Sequence, residues 1–352
     1  VGSEMCIRDS LRPAQARGNV QVTTRAHATR VLMDGTRAVG VEFLKAGQRQ
    51  QVFAEREVIL SGGVINSPQL LMLSGIGDRA QLKEHGITPV VHLPGVGKNL
   101  QDQVVARISF SREPSGPFHR MMRLDRAIAE FGKAYVLGKG MATSMPSAGV
   151  AFLRSRPGLP APDLQNVTAA TPHDAYPYLP PFKPAYRDLL VTRVILLRPE
   201  SRGEIRLRSA NPTDAVRIHQ NMLTCDSDWN VLGDGVRLLR ELGRQSSLRN
   251  FIGAEVGPLP ASDQDDDMRA FLRDTANSFR HTLGTCRMGV EQDDMAVVDP
   301  CLKVKGTEAL RVIDASVMPD MIGGNINSAV MMIAERAADL IRGKQPLPAA
   351  TF

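Results

Sequence analysis

Near each end of the chain one pattern recurs: a short apolar strand, a tight glycine turn and the start of a helix. In the first instance Glu57-Val58-Ile59-Leu60 runs into Gly62-Gly63. A helix follows from Ser67-Pro68 through Leu70, Leu71, Met72 and Leu73, and Ser74-Gly75-Ile76-Gly77 stops it. Serine before proline is a usual cap and first-turn pair. In the second instance Leu310-Arg311-Val312-Ile313-Asp314 reads as a buried strand and Gly323-Gly324-Asn325-Ile326-Asn327 as the turn. Ser328 to Ile341 then reads as a helix with Val330, Ile333, Ala334, Ala337, Ala338 and Ile341 on one face. A strand that turns on glycine into a helix leaves N–H groups facing whatever lies beyond the turn, a seat for an anionic or oxygen-rich group. Taken singly, Asn325 or Asn327 is an ordinary turn or cap residue.

The rest of the chain is organised around them. Val20, Val22 and Thr24 alternate with polar residues, Thr29 to Met33 gives a second run, and Asp34-Gly35 is a hairpin signal. Val39, Val41 and Phe43 alternate again and Gln50 to Ala54 can pair with them, which predicts a small antiparallel meander. A helix over Arg79 to His85 closes on Gly86 and leads into the loop Leu93 to Asp102. Texture then changes, with proline-rich stretches at Pro157 to Pro162 and Pro172 to Pro184, so a second domain is placed here. Its predicted strands are Val104 to Phe110, Leu189 to Leu197 and Glu204 to Arg208. Its predicted helices are Arg123 to Leu137, Asp228 to Leu242 and Asp267 to Asn277. From His281 onward short glycine-marked elements return.

Composition narrows the function. The net charge of +6 comes from scattered basic residues without a run of five, a solvated surface rather than a nucleic-acid footprint. Cys6, Cys225, Cys286 and Cys301 form no paired motif, so neither a disulfide framework nor a metal site is expected, and a reducing, cytoplasmic setting fits. No apolar run approaches the ~18 residues of a membrane span, which leaves peripheral membrane contact open. The opening VGSEMCIRDS, residues 1–10, has no hydrophobic period and no capping logic joining it to residue 11 and beyond. It resembles a translated sequencing adapter and is expected to be a non-native leader.

Five stretches carry a resemblance: GGVINSPQLLMLSGIG (Gly62 to Gly77), LPGVGKNLQD (Leu93 to Asp102), RPESRGEIRLRSANPTD (Arg198 to Asp214), HTLGTCRMG (His281 to Gly289) and the segment from Ala296 to Ile341. In this wording and order the chain resembles the glucose-methanol-choline (GMC) oxidoreductases, in particular the choline dehydrogenase-like branch of bacterial alcohol dehydrogenases. The likeness runs from about Leu11 to Ile341. It implies a mixed α/β and α+β fold, with a FAD-binding domain and a substrate domain built on an antiparallel sheet. Residues 11–102 would be a middle part of the FAD domain, 103–277 the substrate domain, and 278–352 a return to the FAD domain with the catalytic residues.

The resemblance also implies roles. His281 corresponds to the catalytic base and Asn325 to its partner from the turn before the last helix. The backbone near Ala28 would touch the adenine, and Asp314-Ala315 the ribityl and pyrophosphate part of FAD. The helix opening at Asn325-Ile326-Asn327 would point N–H groups at the flavin. The implied reaction oxidises a primary alcohol to an aldehyde. A neutral His281 takes the hydroxyl proton, a hydride passes to flavin N5, and Asn325 steadies the alcohol oxygen. Electrons would go on to a quinone or carrier. Two departures stand out. No GxGxxG turn, the usual seat of the FAD pyrophosphate, occurs in these residues; the chain is therefore expected to lack an N-terminal unit and to be inactive by itself. The family's usual Asp-His after NLQ is here Asp102-Gln103. Two other readings stay open: a truncated, non-catalytic chain that holds no flavin, and a redox-neutral hydroxynitrile lyase of the same fold.

Overall fold

The two glycine-turn units meet side by side. The computed structural model describes residues 6–143, 147–345 and 348. Val1 to Met5 of the supposed leader lie outside the described residues, and Cys6 to Ser10 are exposed.

The meander consists of β1 (Ala26–Asp34), β2 (Arg37–Lys45) and β3 (Gln48–Phe53), all antiparallel. Asp34 stands opposite Arg37 across a two-residue turn in which Gly35 takes a positive φ of 56°. β1 does not reach back over Val20, Val22 and Thr24. Its register with β2 ends at Ala26 opposite Lys45, where β2 turns away at Ala46-Gly47. An alternating sequence without a neighbouring strand has no ladder to join, and Val20 and Val22 stay exposed.

Next come β4 (Val58–Leu60) and helix α1 (Gly63–Leu73). α1 begins four residues before the predicted Ser67-Pro68 start, which places Pro68 inside it. Proline has no N–H, so the Val64 carbonyl loses its helical donor. The Thr285 hydroxyl replaces it, donating to Val64 O at 2.6 Å. Ser67 does not cap this helix in the predicted way. Its Oγ accepts from Gly62 N (3.0 Å) and donates to Asp314 Oδ2 (2.6 Å). Helix α2 (Arg79–Glu84) is capped by Asp78, which accepts from Gln81 N at 2.9 Å.

The middle of the chain supplies β5 (Val104–Ser111), α3 (Leu124–Leu137), β6 (Ser147–Leu153), β7 (Leu164–Ala169) and β8 (Leu189–Leu196). It continues through β9 (Glu204–Arg206), β10 (Arg217–His219), α4 (Asp226–Arg244), β11 (Glu255–Val256), α5 (Asp265–Thr275) and β12 (Asn277–Ser278). The antiparallel sheet runs β11-β5-β8-β7-β6, with β12 also on β5. β6 and β7 have no counterpart among the predicted strands. The last elements are β13 (Leu310–Val312), parallel to β4 with Leu310 opposite Val58, and α6 (Asn327–Ile341).

Two apolar clusters result. One joins the meander to α1, β13 and α6 through Val31, Leu71, Val312, Ile333 and Ala337, and draws in Ile205, Leu207 and Val216 from the middle of the chain. The other packs Val104, Ala106, Ile108 and Phe110 of β5 against Leu232, Val236 and Leu239 of α4 and Phe271 and Leu272 of α5. Along β5 the alternate residues face the other way. α6 is buried along a narrower stripe than predicted: Ile333 and Ala337 are buried, whereas Ala334, Ala338 and Ile341 are exposed.

Candidate functional site

Five consecutive residues, Asn99 to Gln103, sew the site together. Asn99 adopts a left-handed backbone (φ 61°), and its side chain donates to Pro319 O at 3.0 Å. Gln101 Oε1 accepts from Met321 N (3.0 Å), and its Nε2 donates to Pro319 O (3.2 Å). Asp102 Oδ1 accepts from His281 N (2.9 Å), while Oδ2 takes a short bond from the Ser278 hydroxyl. Residues 278–284 and 319–324 are thereby fixed to the same short stretch. Gly284 belongs to this fit. It has a φ of +96°, and a Cβ there would lie 2.5 Å from Asn99 O, so only glycine passes.

His281 is held by Gln103. Its Nδ1 lies 2.7 Å from Gln103 Oε1. The other end of that fully buried amide, Nε2, faces three carbonyls, those of Leu197 (3.3 Å), Ile322 (3.4 Å) and Gly324 (3.4 Å). Only an NH₂ group can face three acceptors, which fixes the amide orientation and turns Oε1 toward the imidazole. Nδ1 of His281 therefore carries a proton and donates, and Nε2 has no partner among the described residues. Phe279 meets the ring edge-on at 4.5 Å between centroids. Burial holds the His281 pKa below the ordinary histidine value, outweighing the opposite pull of Asp102. Burial also raises the Asp102 pKa, against the bonds from Ser278 and the His281 backbone.

The other expected residues fall into place unequally. Gly324 O is bonded to the side chain that holds His281, so Gln103 links the imidazole to the residue before Asn325. Asn325 and Asn327 are exposed, and neither amide has a hydrogen-bond partner among the described residues. Ile326 is the half-buried N-cap residue of α6, which starts without a side-chain cap. Asp314 is already engaged. Its Oδ2 accepts from Gly63 N (2.9 Å) and Ser67 Oγ (2.6 Å), and its Oδ1 from Ser316 N (2.8 Å). Its carboxylate thus fastens one glycine turn to the other, with Ala315 buried behind it. Ala28 is half-buried in β1, beside a register irregularity between Ala28 and Arg30. Cys286, within the HTLGTCRMG stretch, is fully buried, and burial and then Asp314 push its thiol far up. It packs rather than reacts.

This donor set suits FAD. α6 begins without a side-chain cap, so its first-turn N–H groups can bond an oxygen-rich group, whereas Gly62 N and Gly63 N at the start of α1 are taken by Ser67 and Asp314. At Gly63 and Gly324 a Cβ would meet open space, room for a ligand against the backbone. The nearby carboxylate, Asp314, has both oxygens occupied by donors of the chain itself.

Sequence reasoning missed Gln103, though the Asp102-Gln103 departure was its signal. It also missed a cavity of about 790 Å³ on the open face of the large sheet, lined by Val105, Arg107, Ser109, Val191, Arg193 and Asn277 among others. Its residues come from strands and loops that share no sequence motif. No helix among the described residues is long and apolar enough to cross a membrane.

Comparison with known proteins bears on the family. Two GMC oxidoreductase models match residues 6–105 and 199–334. Mitochondrial choline dehydrogenase of Mus musculus is 41% identical over 346 residues, 96% of this chain and 56% of that protein. An alcohol dehydrogenase [acceptor] of Pseudomonas putida is 39% identical, covering 92% of this chain and 58% of its own length. Among solved structures, a formate oxidase of Aspergillus oryzae RIB40 studied for FAD modification superposes with a TM-score of 0.83 at 27% identity, over 93% of this chain and 61% of that one. The chain thus spans somewhat over half the length of the relatives it matches.

Proposed function

The chain belongs to the GMC oxidoreductase family of FAD-dependent flavoproteins, and from that premise we propose that it carries the catalytic residues of an FAD-dependent alcohol dehydrogenase converting a primary alcohol to an aldehyde. The relatives named choline dehydrogenase and alcohol dehydrogenase support the reaction class. The observation that carries the residue assignment is the Gln103–His281 pair, which puts a proton on Nδ1 and turns Nε2 to the open side, while burial favours the neutral ring.

FAD, when bound, supplies the acceptor for the two electrons that leave the carbinol carbon. The first-turn N–H groups beyond Asn325-Ile326-Asn327, the Gly62-Gly63 and Asp314-Ala315 junction and the backbone near Ala28 would hold it. His281 Nε2 takes the hydroxyl proton of the alcohol. Asn325 donates a hydrogen bond to the alcohol oxygen as negative charge develops on it. Asp102 and Gln103 keep the backbone and the ring of His281 in place before substrate arrives, so little reorganisation is left for the reaction itself. The electrons pass to a quinone or soluble carrier, which suits a cytoplasmic protein with peripheral membrane contact. The test is alcohol-dependent reduction of a dye acceptor by the complete protein. Turnover of some primary alcohol that vanishes in His281→Ala supports the reading. Full turnover in that variant overturns it.

A further inference from the structure

We propose that the alcohol taken by this site carries an anionic group, a carboxylate or a phosphate, bound by Arg107 and Arg193 on the open face of the substrate-domain sheet. The inference rests on the alcohol-oxidation reading for the reacting end of the substrate, but not for the anion.

Parity along β5 connects the two places. Val104, Ala106, Ile108 and Phe110 are buried against α4 and α5. Val105, Arg107 and Ser109 line the cavity, with Ala106 at its edge, and Gln103 directly precedes the strand. The side chain that holds His281 thus sits immediately ahead of the strand whose first residues line the cavity. β12 shows the same continuity: Asn277, opposite Val105, also lines the cavity, and Phe279 N bonds Gln103 O just before His281. At 3.3–3.4 Å per residue, Arg107 lies roughly 13 Å along the strand from Gln103. That separation, shortened by the reach of an arginine, suits a substrate with its alcohol at one end and its charge at the other.

The charges favour an anion. Arg193 of β8 stands directly opposite Arg107 of β5 in the ladder. Like charges in that position repel and destabilise a sheet. Arg187 lines the same cavity, and none of the three guanidiniums forms an ion pair among the described residues. Asp174 and Asp274 also line it but do not come within ion-pair distance of these arginines. Arg193 Nη2 lies against His173 Nε2. Burial first, and then Arg193 and Arg107, hold the His173 pKa below its ordinary value. Burial and Arg107 likewise lower that of Arg193. A carboxylate or phosphate between the two arginines offsets this repulsion and accepts their free donors in the forked geometry arginine favours. A quaternary ammonium group would add to the repulsion.

The experiment is a binding titration of the complete protein with hexanoate, 1-hexanol and choline as probes, followed by calorimetry. Hexanoate is expected to bind more tightly than 1-hexanol or choline. Its affinity should fall about tenfold or more in Arg193→Gln and in Arg107→Gln, and fall as salt rises; hexanol binding should ignore both substitutions. Hexanoate binding no tighter than hexanol, hexanoate affinity unchanged in both variants, or preferential binding of choline overturns the proposal. Hexanoate has no alcohol to oxidise, so this result is read independently of whether the protein turns over any alcohol. With turnover established, 6-hydroxyhexanoate is expected to show a KM at least tenfold below that of 1-hexanol, and Arg193→Gln to remove that difference.

Discussion

Gln103 precedes β5 by one residue and Arg107 lies within it, and their surroundings are opposite. Around Gln103 and Asp102 the chain answers its own polar groups: a buried amide meets three carbonyls and an imidazole, and a buried carboxylate meets a hydroxyl and a backbone N–H. At Arg107 and Arg193 two cations face each other with no carboxylate among the described residues within ion-pair distance. The difference separates two tasks. A group that must hold one proton at one atom is useful only if its orientation is settled beforehand. A group that selects a substrate keeps its donors for the ligand, at a cost in stability that the ligand offsets. The settled region is thus where catalysis is expected, and the unsettled one where specificity is.

The strongest way to break that division is at His281. In the complete protein His281→Ala should lower turnover by about 10²–10⁴-fold, the usual worth of a general base, with bound flavin retained in the absorbance spectrum. Loss of flavin together with activity would make the residue structural. Asn325→Ala should cost about 10²-fold, the scale of one donor to a developing oxyanion. Because its amide has no partner among the described residues, thermal unfolding should hardly change. Gln103→Leu comes next, at about tenfold, since it removes an orienting partner and leaves the nucleophilic ring atom untouched. The pH profile separates orientation from mere packing. The base works when neutral, and burial lowers its pKa. The wild-type kcat/KM should therefore be flat above the ordinary histidine pKa and fall only as pH drops through a lower value. Gln103→Glu puts a carboxylate against Nδ1, favours the charged imidazole and should move that fall to higher pH. An unmoved profile in Gln103→Glu would remove Gln103 from the positioning role.

Legibility in the sequence obeys the same division. The glycine-turn units, the hairpin at Asp34-Gly35 and helices α3, α4 and α5 are legible because each is specified by neighbours in sequence. His281 and Asn325 are proposed as site residues only through the wording of whole motifs, since a lone histidine or asparagine signals nothing. The failures are tertiary. Val20 to Thr24 has the alternation of a strand but no strand to pair with. β6 and β7 escape notice because a strand such as Leu164–Ala169, with polar Gln165 and Asn166 buried, lacks an apolar alternation. The Arg107–Arg193 pair depends on the register of β5 against β8, which no local pattern reports. Gln103 stands out as a departure, but its meaning lies in the carbonyls of Leu197, Ile322 and Gly324, from distant parts of the chain.

The smallest effect tests whether the rule of internally answered groups extends beyond the site, to the helix that starts earlier than its sequence suggests. Pro68 inside α1 frees the Val64 carbonyl, and Thr285, fully buried, supplies the missing donor. Thr285→Val keeps the side-chain shape and removes the hydroxyl, so a buried acceptor is left unpaired. That loss should cost about 1–2 kcal/mol, near the low end for an unsatisfied buried group. Pro68→Ala restores an N–H that can bond Val64 O along the helix. In that background Thr285→Val should cost measurably less, giving a coupling of about 0.5–1 kcal/mol in a double-mutant cycle read from urea unfolding. An equal cost in both backgrounds would mean that the Thr285 hydroxyl does not stand in for the donor the proline lacks. The helix would then tolerate Pro68 for some other reason, and the tie between the HTLGTCRMG segment and α1 would rest on apolar packing and the Asp314 junction instead.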